Sequence, residues 1–345
     1  MMQDLHKRLE RTAAERPVLL AFWVFLATTA VVIPLSLPYY LTQTSEFWMN
    51  VLAEAHGMVF DLLVIGCLLL WLNRMAERRL RNSRYREEIE DYLGWRSPEA
   101  THRIVGNIRR LNRGGVREGF RLTEAYLVGA NLGGVRLCES DLWGALLEGA
   151  SLRDADLTGA SLAGAVLDGA DLERAVLRKS DMRGCSLRET DLERAVLDDV
   201  DLRGATLTAA DLQYASLKRA NLSRTSLPDA NLRGAVLEDA DVRGADLSGA
   251  NLRGSILRRT DLRRADLDRA DLLGANLQEA VLPEEADELI RLFEPAKTLF
   301  GARLAETVEE TLYKARPYLF ELAHHERTAP RRQEIREHFA APASA

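Results

Sequence analysis

Aromatic residues are scarce: Phe, Trp and Tyr make up 6% of 345 residues, too few to fill a conventional core of this size. Leu and Ala must therefore do the packing. Cysteine is nearly absent. The three present, Cys67, Cys138 and Cys185, form neither a CxxC pair nor a disulfide framework, which fits a reducing compartment. A large excess of either charge is missing as well, with 46 Lys and Arg against 52 Asp and Glu. A formal net charge of -6 gives no global basic field, which argues against nonspecific nucleic-acid binding. The chain has no GxSxG, HExxH, P-loop or nucleotide-binding glycine fingerprint, so no enzyme class is indicated and no cofactor is expected. His324, His325 and His338 could in principle meet at a metal, but adjacent histidines in a polar tail are ordinarily solvent-exposed, and no metal site is assigned.

Two apolar stretches stand at the N-terminal end. Pro17–Ser45 is 29 residues without a charge, and residues 17–41 are expected to form a first transmembrane helix. A cleaved signal peptide fits less well, because Glu10 and Glu15 precede the stretch and no A-x-A site follows it. Residues 50–72 make a second span, flanked by Trp48 and Trp71, whose rings would sit roughly 35 Å apart along a helix, at the two interfaces. The loop 38–53 has no Lys or Arg, whereas residues 1–16 and 73–86 are rich in them. The positive-inside rule then places both termini in the cytoplasm. Asp61 falls about 15 Å from Trp71, near mid-bilayer. With Glu54 and His56 it is either an ion-handling group or a structural one that clasps Thr28 or Thr29 of the first helix.

Residues 73–115 are expected to be a helical connector, switching from basic (Arg74 to Arg86) to acidic (Glu87 to Asp91), with a second short helix over Glu99–Asn112. From Leu122 to Leu282 an apolar residue then recurs every fifth position for 33 consecutive repeats, with only Met182 and Val242 replacing Leu. Two positions earlier stands Ala in 23 of the 33, so most repeats pair a small residue with a large one at fixed period. A period of five matches neither helix nor strand, which leaves a solenoid over 116–283. The residue before each centre is Asp or Asn in 17 repeats, and Gly often follows two positions after it, both of which favour turns.

The motif A(D/N)LxG, as in the run from Ala155 to Leu172, resembles the pentapeptide-repeat family. The resemblance implies a right-handed quadrilateral β-helix, one repeat per side, with Leu152, Leu172, Leu192, Leu212, Leu232, Leu252 and Leu272 pointing into a dry core. Phe120, at the small position of the first repeat, is then a plug. Residues 284–328 are expected to be a helical C-terminal cap, including a repeat-like turn at Lys297–Leu304 and a helix from Glu306 to about Ala315. The tail 329–345 is expected to be disordered.

A twenty-residue coil would stack Arg178, Asp198, Lys218, Glu238 and Arg258 with alternating sign. It would also run Arg183, Arg203, Ser223, Arg243 and Arg263 beside Asp181, Asp201, Asn221, Asp241 and Asp261. Val176, Val196, Val236 and Ile256 would form a β-branched stripe, serving either strand propensity or an interaction face. These features describe a non-enzymatic scaffold in the bacterial inner membrane, held by lipid through its two-helix anchor, docking an unknown protein or a second copy of itself. The family also contains DNA-mimicking rods that bind type II topoisomerases. Residues 120–282 hold 27 acidic and 21 basic residues, and the interleaved arginines break any continuous acidic stripe. An oligomeric channel using Glu54 and Asp61 is the third alternative.

Overall fold

The computed structural model describes residues 46–321, giving backbone alone for 46–56, 58–60, 62 and 63. It divides at Arg84 into two units. The first span, Thr28, Thr29, the side chains of Glu54 and His56, and the tail from 322 onward lie outside the described residues. Asp61 is exposed on its helix.

Helix α1, Glu46–Tyr92, is continuous over 47 residues. It passes without a break through residues 72 and 73, where the expected second span meets the expected helical connector. The reason is local, since residues 73–92 contain neither Pro nor Gly and nothing in the sequence ends the helix at residue 72. Among the described residues, no helix is long and apolar enough to cross a membrane.

Helix α2, Pro98–Arg113, starts where the Oγ of Ser97 accepts the N–H of Ala100 and Pro98 occupies the first turn. Ala100, Ile104, Val105, Ile108 and Leu111 recur at three- and four-residue spacing and are all buried. That face lies on the first coil of the solenoid, and the polar residues beside it tie up the coil's open edges. Thr101 donates to the carbonyl of Tyr126 at 2.9 Å and Arg109 to that of Asn131 at 3.0 Å. Asn112 accepts from the N–H of Arg136 at 2.7 Å and donates to its carbonyl at 3.0 Å. On the remaining side Arg86 donates to the carbonyl of Gly119 at 2.7 Å and lies 5.5 Å from the ring centre of Phe120, which is buried.

The solenoid is built from single parallel bridges, each joining a residue to the one twenty positions on, from Glu118 with Cys138 to Asp261 with Val281. Four pentapeptides therefore make one turn. Every backbone N–H of the repeat centred on Leu172 has a place. Ala170 donates to Leu167 across the corner at 3.0 Å, and Asp171 donates back to Ala150 at 2.9 Å. Leu172 and Arg174 donate forward to Asp191 and Glu193 at 2.7 and 2.9 Å. The fifth, on Glu173, is taken by the Oδ1 of Asp171 at 3.1 Å. This explains the Asp or Asn before 17 of the 33 centres: its side chain satisfies the one amide that the coil geometry leaves over.

The position two after each centre has positive φ from Glu124 to Glu279. Eighteen non-glycine residues take it, with φ between 49° and 63°. Glycine is favoured there because it adopts that conformation without a Cβ penalty.

Leu152, Leu172, Leu192, Leu212, Leu232, Leu252 and Leu272 are completely buried. Where the small inward residue is polar, the backbone satisfies it: Thr190, Thr225 and Thr260 donate to the carbonyls of Leu167, Leu202 and Leu237 at 2.7–2.9 Å. After Val281 the chain leaves the coil for helix α3, Ala286–Phe293, which buries Leu289, Leu292 and Phe293. It then rejoins the solenoid, with Thr298 bridging Asp271 and Arg303 bridging Asn276. Helix α4, Glu306–Ala315, and a 3-10 turn, Pro317–Phe320, follow.

Candidate interaction surface

Three kinds of outer surface follow from the twenty-residue register. The first is apolar. Val176, Val196, Ser216, Val236 and Ile256 are joined by successive bridges into one column on one side, and each is half-buried. They stand next to the charged column Arg178, Asp198, Lys218, Glu238 and Arg258. Within it, Arg178 meets Asp198 at 3.6 Å and Arg258 meets Glu238 at 3.8 Å.

The second surface is the set of positive-φ corners, where ion pairs join successive coils. Arg174 grips Asp154, Arg219 grips Asp199 and Arg259 grips Asp239, each through two nitrogens at 2.6–2.9 Å. The arginine beside each of these aspartates holds its carboxyl below the usual range. Exposed pairs of this kind contribute little individually, and their regular spacing keeps both signs interleaved along the rod.

The third surface is an arginine row. Arg183, Arg203, Arg243 and Arg263 each bind the aspartate two residues back through Nε and Nη2, at 2.6–3.0 Å. The hydrogen bond from its arginine depresses each of Asp181, Asp201, Asp241 and Asp261. A groove of about 1130 Å³ runs along this row to Pro283, Glu284, Glu285 and Glu288.

One carboxylate cluster stands apart. Asp171, Glu173 and Asp191 offer oxygens within 4.8 Å of one another. Arg153 pairs with Asp171 and Glu173, and Arg174 pairs with Glu173, so arginine supplies the positive charge a metal would bring. The cysteines offer no reactive thiol in the solenoid: burial pushes Cys185 up to about 12 and Cys138 up to about 11. No two of the three cysteines are bonded.

Beyond the adjacent Arg and Asp columns, the locked guanidinium geometry has no signal in the sequence, because Asp and Arg two apart usually mean nothing on a surface. It becomes legible only once the coil turns both side chains to one corner.

A family model described as pentapeptide repeats matches residues 121–154, 155–194, 185–224, 215–254 and 245–282. Among solved structures, the chain is 31% identical to HetL, a pentapeptide repeat protein involved in heterocyst differentiation regulation from the cyanobacterium Nostoc sp. strain PCC 7120. That match covers 57% of this chain and 93% of HetL, with a TM-score of 0.32. Full-length QnrB1, a plasmid-mediated fluoroquinolone resistance protein, is 17% identical over 57% of this chain and 97% of its own, with a TM-score of 0.35. A pentapeptide repeat protein from the Arabidopsis thaliana thylakoid lumen is 25% identical over 39% of this chain and 84% of its own, with a TM-score of 0.23. No curated protein matches. The unbroken five-residue register, the matched repeats from 121 to 282 and the identity to HetL over nearly all of that protein agree: this chain belongs to the pentapeptide-repeat family, whose fold is the right-handed quadrilateral β-helix.

Proposed function

We propose that the protein is a non-enzymatic scaffold of the bacterial inner membrane, with its solenoid and both termini in the cytoplasm. The observation that supports the scaffold reading is the solenoid itself: about eight coils with a dry Leu and Ala interior, buried threonine hydroxyls satisfied by the backbone, and charged groups confined to the outer surface, most of them in ion pairs. Such a rod holds surface groups at fixed spacing and offers no enclosed reaction site. Helix α2 at one end and α3 with α4 at the other serve as caps that keep strand edges from pairing with other chains. The Val176, Val196, Val236 and Ile256 stripe is the docking face, for a partner protein or a second copy.

The anchor reading rests on residues 17–41 and 50–72 and on the charge asymmetry around them. Exposed Val64, Ile65, Leu68, Leu69 and Leu72 on α1 support it, since they recur on one face of the helix and suit contact with lipid or with a second apolar helix. Single cysteines placed at Ser45 and Ser344, with the three native cysteines replaced by alanine, test the topology. An impermeant maleimide applied to spheroplasts should label Ser45→Cys and spare Ser344→Cys. Labelling of Ser344→Cys in intact spheroplasts overturns the orientation, and recovery of the protein in the soluble fraction overturns the anchor. Replacing the four stripe residues by Thr tests the docking face, because Thr keeps the β-branch but exchanges a methyl for a hydroxyl. Self-association and partner crosslinking should weaken while the fold persists. Crosslinking equal to that of the parent moves the docking face elsewhere.

A further inference from the structure

The arginine corner has a use that the apolar stripe does not explain. Each Asp grips its Arg through Nε and Nη2, which leaves Nη1 without a hydrogen bond among the described residues. The Nη1/Nη2 end of the fork can still receive a second carboxylate, and the gripping Asp has already fixed the guanidinium plane. These four side chains remain 51–54% exposed.

The row has no gap. In the coil where Asn221 and Ser223 replace the Asp–Arg pair, Arg224 supplies a guanidinium from the next position, and Arg264 adds a second one beside Arg263. Neither Arg224 nor Arg264 has a hydrogen-bonded or ion-paired side chain among the described residues. Five successive coils thus carry at least one guanidinium each, spread over about 19 Å at the usual strand spacing.

The charge balance selects the occupant. Six arginines stand against Asp181, Asp201, Asp241 and Asp261, so two positive charges, those of Arg224 and Arg264, are left over. Glu284, Glu285 and Glu288 at the end of the groove would repel a phosphate backbone, which cannot change sign along its length. An extended acidic peptide fits better. About six residues span 19 Å, their carboxylates meet the open fork ends, and a basic residue after the acidic run meets the glutamates.

We propose that this corner binds an extended acidic segment of a partner protein, terminated by a basic residue. The site lies on the corner beyond the side next to the apolar stripe, so the proposal stands or falls separately from docking through that stripe.

The test uses the full-length protein and fluorescence anisotropy at low ionic strength. The probe is a labelled peptide of six glutamates followed by a lysine, compared with a six-lysine peptide and a hexathymidine oligonucleotide. The acidic peptide should bind, and the double variant Arg224→Gln, Arg264→Gln should weaken it about tenfold. The double variant Arg178→Gln, Arg194→Gln, which removes the same net charge from other corners, should leave affinity within about twofold. Ser223→Glu, which puts an acid into the row, should weaken binding in the same way as the first pair. The stripe variant with four threonines should bind the peptide as the parent does. Equal losses in both arginine pairs, tighter binding of the oligonucleotide than of the acidic peptide, or no binding of the peptide would each overturn the proposal.

Discussion

Tyr214 fills the space into which a side chain on Gly234 would project: a Cβ at Gly234 would lie 2.7 Å from both Cδ1 and Cε1 of the Tyr214 ring. The two residues occupy equivalent corners one coil apart, and both have positive φ, 57° at Tyr214 and 67° at Gly234. Gly234→Ala therefore meets backbone strain and a steric clash together, and should destabilise by about 1–3 kcal/mol. In the background of Tyr214→Ala the ring is gone and only the strain remains, so the same change should cost less. A double-mutant cycle followed by urea unfolding measures the difference; identical losses in both backgrounds would show that the ring gives way freely.

Leu212 is completely buried, while its neighbour Gln213 is only half-buried and bonds Asp211. Leu212→Arg removes roughly 1.5–3 kcal/mol of apolar burial and places a charge in the core, so it should disrupt the rod. Gln213→Arg should shift stability by less than about 0.5 kcal/mol. Circular dichroism melts compare the two, and matching melting temperatures would contradict the inward packing.

Asp271 joins the last regular coil to the segment that rejoins it. Burial alone would raise its carboxyl, but Lys297 at 2.9 Å and Arg253 at 2.8 Å outweigh burial and hold it below the usual range. A carboxyl lowered in the folded state stabilises above its unfolded pKa of about 3.9, and that contribution fades as pH falls through the lower folded value. Amide exchange over 297–304 should therefore rise on acidification from about pH 5 to below pH 4 relative to exchange in mid-array. Asp271→Asn should show raised exchange there already at neutral pH and a weaker acid response.

Asn112 closes the edge at Arg136 with two hydrogen bonds. Asn112→Ala strands a backbone N–H and a carbonyl at the rim, with an expected loss of about 1–3 kcal/mol felt first in the opening coil. Hydrogen exchange should show faster opening of residues 116–140 with 200–260 unchanged. Uniform acceleration along the rod would mean that the array unfolds as one unit.

The sequence by itself determined the solenoid. A spacing of five held for 33 repeats permits one kind of packing, because any slip would carry Leu out of the core and charge into it. It also determined the twenty-residue columns, the buried Phe120 and the helices near 99–112 and 306–315, since periodicity and turn residues are local properties. Tertiary structure decided the rest. The engagement of four coil edges by Thr101, Arg109, Asn112 and Arg86, and the pairing of Thr298 with Asp271 and of Arg303 with Asn276 after α3, depend on contacts between residues far apart in the chain. The arginine row is the clearest case. Asp181 and Arg183 are ordinary surface residues in the sequence, and only the coil stacks five such corners into one groove and lets Arg224 fill the place that Ser223 leaves open. Periodicity fixes which side chains face inward, whereas the direction of an outward side chain depends on the backbone beside it and on the next coil.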